Sequence, residues 1–403
     1  MGPSRPLSSY VEEAMTQMKR ILQISNYYYP NIGGIEQVAR DISNALRDSD
    51  GFINKVICFN ENSRDGDYIC YRRETVHEII DGTEIIKCGC ITKISSQSLS
   101  LSFGKELNNI MNSYKPDIVI FHYPNPFQAY YLLKYKAQNF KLLLYWHLDI
   151  TKQTILKHLF YRQNINLINR MEYVVGATPM HVNASEFTSQ FGDKKKILPY
   201  MINTTKLVLS EKEKDQAIRL KEKYKDNTIG FFIGRHIPYK GLKYLIEASK
   251  MLNNVPIKII VAGSGELTEE LKEQARGDPK IEFIGKLSDS ERRVYYEACD
   301  IICFPSITRN EAFGLALAEG MYFGKPAVTF HIQGSGVNYV NLANVTGLEC
   351  PNGDSSSYAA ALKRLTEDKE LRHKYGEAAR KRVLENFTPQ QFKTNLMRLL
   401  ADL

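Results

Sequence analysis

The sequence predicts an α/β protein made of two Rossmann-like domains, each with a parallel sheet covered by helices. Short apolar strands alternate with amphipathic helices, which is the pattern of parallel βα units. This alternation runs through the first half of the chain and then starts again near residue 228. A length of 403 residues suits two domains, and 43% hydrophobic with 24% charged residues is typical of globular proteins.

The elements of the first half follow from apolar runs and from apolar residues at helical spacing. They are predicted as strand 20–25, helix 34–48, strands 54–59 and 84–87, helix 103–113, strand 117–122, helix 126–138, strand 141–146, helix 152–170, and strands 172–176 and 196–200. Residues 206–226 are dense in lysine and glutamate, and they predict an interdomain connection or a surface helix.

The second half repeats the alternation after this charged segment. Its predicted elements are strand 228–235, helix 240–252, strand 257–263, helix 266–275, strand 281–286, helix 288–297, strand 301–304, helix 314–323, strand 326–330, helix 356–366 and a helical tail. The domains are therefore expected at 18–205 and 206–385. A C-terminal helix at 386–403 is expected to return to the first domain, and residues 1–17 to be a loose tail or a cloning remnant.

Composition and charge indicate which metals, membranes or nucleic acids the protein is expected to bind. The seven cysteines are scattered, and the pair in "KCGC" has no second pair at zinc-site spacing. No apolar run reaches membrane-spanning length and no export signal is expected, so the sequence favours a cytoplasmic protein. Residues 18–206 carry 23 Lys and Arg against 17 Asp and Glu, which suits either a solvated surface or an anionic membrane surface. No nucleic-acid-binding module is present in the pattern.

Loops that directly follow strands are the expected place for ligands in such sheets. Gly33 and Gly34 follow the first strand and precede a helix, where a backbone can approach an anion closely. The same pair is also compatible with a plain tight turn, and no complete dinucleotide or Walker motif is present.

Two cations flank the first strand-to-helix loop of the second domain. Arg235 follows the strand and Lys240 precedes the helix. An arginine fork and a lysine point charge together suit a diphosphate, and two solvated surface cations are the alternative.

Two neighbouring strands of the first domain each end in a histidine. His122 ends one strand, and "YWHLDI" places His147 and Asp149 after the next. A single histidine is usually structural, but two at one sheet edge favour a functional site.

Two glutamates bracket the start of an apolar helix in "EAFGLALAE". Glu311 precedes the predicted helix start at Gly314, and Glu319 lies within the helix. A helix start offers free N–H groups to phosphate, and both carboxylates accept hydrogen bonds from hydroxyls. A buried carboxylate needs such partners, so this segment predicts a polyhydroxylated ligand that lies along the helix.

Together these motifs resemble the retaining nucleotide-sugar glycosyltransferases of family 4, which have the two-domain GT-B fold. The resemblance rests on the Gly-Gly loop, "HYPNP", "WHLDI", "GR…KG", "GSGE", "FIGKLSD", the two spaced glutamates and "GKPAVTF", and it covers nearly all of residues 18–390. Details such as "HLDI" and "QGSGVNYVN" are similar to bacterial polysaccharide mannosyltransferases.

The resemblance implies a role for each matching residue. Glu311, with the N–H groups of Phe313, Gly314 and Leu315, holds the donor sugar and the adjacent phosphate, and Glu319 binds the ribose. Arg235 and Lys240 neutralise the diphosphate, and the base lies near Gly285, Lys286 and Leu287. Gly33 and Gly34 approach the phosphates from the other domain, His122 lies beside the anomeric carbon, and His147 and Asp149 are acceptor-side candidates.

The implied reaction transfers a sugar from a nucleotide sugar to a hydroxyl of a glycan or lipid-linked acceptor, with anomeric configuration retained. No cofactor or metal is expected, because the two cations stabilise the leaving diphosphate and the D-x-D matches at 48–50 and 65–67 lie in a helix end and a polar loop. The alternatives are a non-catalytic partner subunit of the same fold and another nucleotide-sugar or sugar-phosphate enzyme, such as an epimerase or phosphorylase.

Overall fold

The computed structural model describes residues 18–31, 33–64, 68–71, 73–94, 97–136, 139–149 and 154–403. The chain divides into two compact units. Unit 1 comprises Met1–Gly176, Ser185–Leu198 and Lys393–Leu403, and unit 2 comprises Ala177–Ala184 and Pro199–Phe392. The chain thus crosses between the units at four points. The sequence analysis expected domains at 18–205 and 206–385, with a C-terminal helix at 386–403 that returns to the first domain.

Unit 1 is built around an eight-stranded sheet. Its strands are β1 (Lys19–Ile24), β2 (Phe52–Phe59), β5 (Val76–Ile80), β6 (Thr83–Cys88), β9 (Ile118–Tyr123), β10 (Lys141–Trp146), β11 (Tyr173–Gly176) and β12 (Lys195–Ile197). They lie in the order β12-β11-β10-β9-β1-β2-β6-β5. All neighbouring pairs are parallel except β5 and β6.

The helices of unit 1 connect these strands. They are α1 (Gly34–Arg47), α2 (Phe103–Ser113), α3 (Pro126–Leu132), α4 (Thr154–Arg170) and α6 (Thr188–Phe191), while α5 (Pro179–Asn183) belongs to unit 2. Two short antiparallel hairpins, β3 (Glu61–Arg64) with β4 (Tyr68–Tyr71) and β7 (Thr92–Ile94) with β8 (Gln97–Leu99), stand outside the main sheet. The sequence analysis predicted neither hairpin.

Unit 2 contains a six-stranded, fully parallel sheet. Its strands are β13 (Thr228–Ile233), β14 (Ile257–Ala262), β15 (Ile281–Gly285), β16 (Ile301–Phe304), β17 (Ala327–Phe330) and β18 (Gly347–Cys350), in the order β15-β14-β13-β16-β17-β18. Its helices are α7 (Glu211–Lys223), α8 (Leu242–Met251), α9 (Thr268–Gln274), α10 (Asp289–Ala298), α11 (Leu315–Tyr322), α12 (Val337–Val340), α13 (Ser355–Glu367), α14 (Lys369–Asn386) and the start of α15 (Pro389–Ala401).

The predicted α/β architecture is confirmed, with differences at individual elements. The predicted helix 126–138 ends at Leu132, where the chain turns and Lys134 Nζ lies 4.4 Å above the Tyr130 ring. The charged segment 206–226 is mostly a helix, α7, and its capping box at Ser210 explains where that helix begins. The antiparallel pair β5–β6 was missed, although Asp81 and Gly82 between them have the positive φ angles of a two-residue hairpin turn.

Each sheet has one point where the chain reverses the direction in which it adds strands. In unit 1 this switch point lies between β1 and β9, and in unit 2 it lies between β13 and β16. Loops that leave two adjacent strands in opposite directions open a crevice at the carboxyl end, which is where such sheets bind ligands. The predicted site residues of unit 1 lie at or after the carboxyl ends of β1, β9 and β10, and those of unit 2 at or after the carboxyl ends of β13, β15 and β16. Among the described residues, no helix is both long and apolar enough to cross a membrane.

Candidate active site

The switch point of unit 2 is formed by two loops that touch through their backbones. Gly241, after the short 3₁₀ turn Pro238–Lys240, has φ +65°, and a Cβ there would lie 2.0 Å from the carbonyl oxygen of Pro305. Ile307 N–H donates to the Tyr239 carbonyl at 3.0 Å. The loop after β13 and the loop after β16 are therefore held together as one surface, and Gly241 is needed for this close approach.

Lys240 and Glu311 meet on this surface as an ion pair. The Lys240 ammonium contacts Glu311 Oε2, and both side chains are largely buried, with exposed fractions of 12% and 13%. Ser306 Oγ donates to the same carboxylate oxygen at 3.2 Å. Lys240 Nζ also lies 5.1 Å above the Phe304 ring, which fixes the cation further. The two predicted site residues are thus brought together from 71 positions apart.

Arg235 lies in the same loop but is differently placed. It is exposed, directly after the Ile233–Gly234 end of the strand. Among the described residues it makes no ion pair or side-chain hydrogen bond. Its guanidinium therefore has its full set of donors available for an anion at the carboxyl end of β13.

Gly314 begins α11 in the left-handed region, with φ +89°. Because glycine has no side chain, no side-chain cap occupies the first N–H groups of the helix. Phe313 is buried against Tyr200 and Phe387, with ring centroids 5.5 and 5.1 Å away, and this anchors the chain before the helix. Leu315 is the first helical residue. The predicted donor group Phe313–Leu315 thus lies at an uncapped helix start next to Glu311.

The backbone of Glu311 is tied down by the loop that follows β17. Ser335 Oγ donates to the Glu311 carbonyl oxygen at 2.5 Å, and Gly336 N–H donates to it at 3.3 Å. A Cβ on Gly336 would lie 1.9 Å from the Ala312 carbonyl oxygen. The segment "QGSGVNYVN" therefore supports the first glutamate.

Glu319 lies within α11, the helix that follows Glu311, and has two partners on α10. Tyr296 Oη lies 3.1 Å from Glu319 Oε2, and Arg292 Nη1 lies 3.6 Å from the same oxygen. Burial raises the pKa of Glu319, while the Arg292 guanidinium and the Tyr296 hydroxyl act to lower it. This carboxylate is therefore supported by partners that the sequence analysis did not identify.

The third predicted group of unit 2 lies where β15 ends. Gly285 has φ +75° and is exposed, and its carbonyl accepts a hydrogen bond of 2.7 Å from Gly263 N–H. Lys286 is exposed and Leu287 is half-buried. No heavy atom lies within 4 Å of a Cβ built on Gly285, so this edge of the sheet is open at the backbone.

The switch point of unit 1 is joined by amides instead of charges. Asn125 after β9 donates to the side chain of Asn26 after β1, and Gln128 Nε2 donates to the Ser25 carbonyl at 2.7 Å. Gly33 and Gly34 follow at the start of α1. Gly34 is exposed with no heavy atom within 4 Å of a Cβ position, so its backbone is open to a ligand.

His122 lies inside unit 1 rather than at its surface. It is fully buried in β9, with Nδ1 3.0 Å from His147 Nε2 and Nε2 3.0 Å from Gln23 Oε1. Because Gln23 Oε1 only accepts, His122 Nε2 carries the proton, and its Nδ1 accepts from His147. Burial lowers the pKa of His122 to about 3, so the imidazole is neutral near neutral pH. The expectation that this strand-end histidine reaches a ligand directly does not match its position.

The two acceptor-side candidates differ in their placement. His147 is 2% exposed and stacks on Tyr145 at a centroid distance of 4.6 Å. Asp149 accepts from Trp146 Nε1 at 2.8 Å and from Ser185 Oγ at 2.8 Å. These bonds give Asp149 a clear structural role in pinning residues 185–186. Acceptor binding by His147 and Asp149 stays a prediction.

The structure adds four side chains to the predicted sets: Ser306, Ser335, Tyr296 and Arg292. Ser306 lies in the loop that directly follows β16, so the rule that loops after strands carry function would have found it. Ser335 lies in the quoted segment "QGSGVNYVN", whereas Tyr296 and Arg292 contact Glu319 from another helix and no local pattern marks them. Among the described residues, no group of three or more His, Cys, Asp or Glu side chains is arranged to hold a metal ion. The "DGD" match at 65–67 lies outside the described residues.

Comparisons with known proteins find chains of similar sequence. Residues 213–382, which lie within unit 2, match the family model described as "Glycosyl transferases group 1". The chain is 28% identical over 372 residues to the O-antigen chain mannosyltransferase C of Escherichia coli, covering 92% of this chain and 94% of that protein. It is 26% identical to the D-rhamnosyltransferase WbpZ of Pseudomonas aeruginosa, covering 73% and 76% of the two chains.

The fold also matches solved structures. The crystal structure of HepE from Anabaena in complex with UDP superposes with a TM-score of 0.70 at 18% identity, covering 96% of this chain and 100% of that one. At this identity the likeness speaks for the fold alone, and it confirms the GT-B class predicted from the sequence.

Proposed function

We propose that this chain transfers a sugar from a nucleotide sugar to a hydroxyl of a glycan or lipid-linked acceptor, and the match of residues 213–382 to the glycosyl transferases group 1 model supports this proposal. The single observation that carries the proposal is the switch point of unit 2, where Lys240, Glu311 and the uncapped start of α11 meet. The names of the relatives, an O-antigen mannosyltransferase and a D-rhamnosyltransferase, favour bacterial surface polysaccharide synthesis. The transferred group is then a hexose.

The chemistry of each group suits one part of a nucleotide sugar. Arg235 and Lys240 carry positive charge for the diphosphate, and the N–H groups at the start of α11 add a partial positive charge beside it. Glu311 accepts hydrogen bonds from sugar hydroxyls, and Glu319 accepts them from the ribose. The open edge at Gly285–Leu287 takes the base.

We propose that the reaction retains anomeric configuration. The bond between the anomeric carbon and the diphosphate oxygen breaks, and the acceptor oxygen bonds to the same face of the sugar. The acceptor's proton passes to the departing phosphate oxygen. Glu311 is held by Lys240 and Ser306, which suits orientation of the sugar rather than covalent attack. Most of the rate then comes from charges that are already in position around the leaving group.

A panel of nucleotide sugars tests the proposal. The protein is incubated with UDP-, GDP-, ADP- and TDP-sugars, and release of nucleoside diphosphate is measured by chromatography, with NMR of any glycoside formed. Release from one class of donor, abolished in Lys240→Ala, is expected. A non-catalytic partner subunit would release nothing from any donor, and an epimerase would change the sugar without releasing the nucleotide. Either result would reject the proposal.

The membrane is the second part of the proposal. We place the protein in the cytoplasm at the inner face of the cell membrane, where lipid-linked acceptors are found. The residues that favour this lie on unit 1: Leu101 and Tyr130 have exposed fractions of 80% and 55%. Lys134 lies above the Tyr130 ring, and Lys105 is exposed on α2, the helix that follows Leu101 in the chain. Apolar and aromatic side chains next to lysines match the interface of an anionic membrane.

Flotation with liposomes tests this location. Binding to anionic but not neutral vesicles, weakened by salt, is expected because each basic residue near the surface contributes about 1 kcal/mol. Leu101→Glu should reduce binding, whereas Ile79→Glu is the matched control, since Ile79 is 76% exposed on the edge strand β5. If wild type fails to float with anionic vesicles at low salt, the protein does not bind the membrane surface and the proposed location is wrong.

A further inference from the structure

Arg292 and Arg293 are adjacent in sequence but serve two different carboxylates. Arg293 contacts Glu213 on α7, with Nη2 2.5 Å from Oε1. Arg292 turns to the other side of α10, where its Nη1 lies 3.6 Å from Glu319 Oε2. Consecutive residues on a helix point about 100° apart, so the two guanidiniums cannot share one partner. Only Arg292 belongs to the neighbourhood of the proposed ribose site.

Among the described groups that face Glu319, Arg292 is the one that brings a positive charge. Tyr296, one turn along α10 from Arg292, has a single hydroxyl proton, and its Oη lies near both the Ala316 carbonyl at 3.0 Å and Glu319 Oε2 at 3.1 Å. The single Tyr296 proton is therefore shared between these two acceptors, and Tyr296 brings no positive charge to the carboxylate. Among the residues that the structure describes, Arg292 is the only cation paired with Glu319.

The remaining charged groups around α11 do not replace Arg292. Asp289 on α10 is negative and 78% exposed, and it shares the Arg292 guanidinium at 3.2 Å. Arg380, on the helix α14 packed along α11, donates to the Tyr322 carbonyl at the far end of α11. The Arg292 Nε atom is buried without a hydrogen-bond partner in the described part of the chain. The cost of burying this guanidinium is offset by its interactions with Glu319 and Asp289.

We infer that Arg292 is a positioning residue for the nucleotide, which keeps the Glu319 carboxylate ionised and oriented toward the ribose hydroxyls. This inference rests on the proposed function, since it takes Glu319 as the ribose ligand. The Glu319 side chain is only 17% exposed, and such burial favours the protonated form. A protonated carboxyl loses part of its capacity to accept hydrogen bonds from two hydroxyls. The nearby guanidinium opposes this protonation.

Nucleotide binding as a function of pH tests the inference. The probe is whichever of ADP, GDP and UDP binds wild type most tightly, titrated by calorimetry between about pH 6 and about pH 8.5. For Arg292→Gln we expect affinity about tenfold weaker than wild type at the acid end, because loss of the guanidinium raises the pKa of Glu319 further and favours its protonated form. Affinity should recover to within about threefold at the alkaline end. Arg292→Lys keeps the charge and should lose less.

Two controls separate positioning from a general structural effect. Arg293→Gln removes the neighbouring cation, which pairs with Glu213, and should bind the probe like wild type at every pH. Glu319→Gln should bind weakly at every pH, and adding Arg292→Gln to it should cause no further loss, because Arg292 acts through Glu319. Melting temperatures confirm that each variant is folded.

Each contrary result has its own meaning. If Arg292→Gln binds like wild type, or is weakened equally at all pH values, Arg292 does not maintain the ionisation of Glu319 and the inference is wrong. A further loss in the double variant would also overturn it, since Arg292 would then act independently. If Glu319→Gln itself binds normally, the ribose assignment in the proposed function fails, and this is distinguishable because only that variant reports on it.

Discussion

The two switch points occupy the same place in two related sheets, yet they are built from opposite chemistry. In unit 2 the loops meet through the charged pair Lys240–Glu311, with the exposed cation Arg235 beside it. In unit 1 they meet through neutral groups, the amides of Asn26 and Asn125. The buried His122 of the same unit is hydrogen-bonded to Gln23 and is also neutral. Topology therefore fixes where a ligand site can form, while the side chains decide which ligand it suits.

The charge difference predicts which unit provides electrostatic catalysis. A site for a diphosphate needs fixed positive charge, and unit 2 has it at the carboxyl ends of β13 and β16. A buried neutral imidazole cannot supply such charge, so unit 1 is better suited to hold a neutral hydroxyl acceptor and to keep its loops in place.

Removing one cation from the switch point of unit 2 should have the largest effect. We expect Lys240→Ala or Arg235→Ala to lower turnover by about 10²–10³-fold, the usual loss for one preorganised stabiliser of developing charge. Steady-state kinetics with the preferred donor measure this. Lys243→Ala is the matched control, because Lys243 is an exposed lysine on α8 that lies over the Tyr244 ring. Near-normal turnover in both site variants would remove the cations from the mechanism.

Removing His122 from its buried hydrogen bonds with Gln23 and His147 should instead lower the stability of the fold. His122→Phe leaves Gln23 Oε1 and His147 Nε2 without their buried partner, at a cost of about 1–3 kcal/mol in the free energy of unfolding. Denaturant unfolding at neutral pH measures the loss. His77→Phe is the control, since the His77 side chain is 55% exposed. Equal small effects for both variants would mean that the buried hydrogen bonds of His122 contribute little to the free energy of unfolding.

The same variant should change how stability depends on pH. Burial lowers the pKa of His122 from 6.5 to about 3, so below about pH 6.5 the unfolded chain binds a proton that the folded protein does not. Wild type therefore loses up to about 1.4 kcal/mol of stability per pH unit from this group as the pH falls from 6.5 toward 3. His122→Phe should lack this contribution. An identical slope in wild type and variant would show that His122 is protonated in the folded protein.

Removing a charge that lies outside the candidate site of unit 2, at Glu213, should have a smaller effect. Arg293, together with hydrogen bonds from Ser290 and Ser210, lowers the pKa of Glu213 to about 2. This carboxylate stabilises the fold fully above about pH 4.5, and its contribution is lost as the pH falls from 4.5 toward 2. Glu213→Gln should cost about 2 kcal/mol at neutral pH, as for a charge-assisted hydrogen bond. Its difference from wild type in urea unfolding should shrink at about pH 3, and a constant difference would contradict the ionic role.

The smallest effect is expected from removal of divalent metal. If protein cations neutralise the leaving diphosphate, excess EDTA should leave turnover within about twofold. The measurement is the donor assay with and without chelator, with Mg²⁺ or Mn²⁺ added back as the control. Activity that disappears with EDTA and returns with metal would show that Lys240 and Arg235 do not suffice, and the contrast between the two units would lose its catalytic meaning.

The sequence by itself determined the α/β class, the repeated βα alternation and the positions of the strand-end motifs. These are local signals: apolar periodicity marks strands and helices, and glycine, cations and carboxylates at strand ends mark the loops. Lys240, Glu311 and Gly314 could be named as one site because the carboxyl ends of neighbouring parallel strands meet at one sheet edge.

The tertiary structure decided which side chains actually meet and which are buried. The sequence does not show that Tyr296 and Arg292 lie against Glu319, because this contact depends on how two helices pack. It also does not show that His122 is fully buried and held by Gln23, since that depends on β1 lying beside β9. Local patterns specify elements, whereas burial and partners come from contacts between segments far apart in the chain, and those contacts set the charge and protonation of the site.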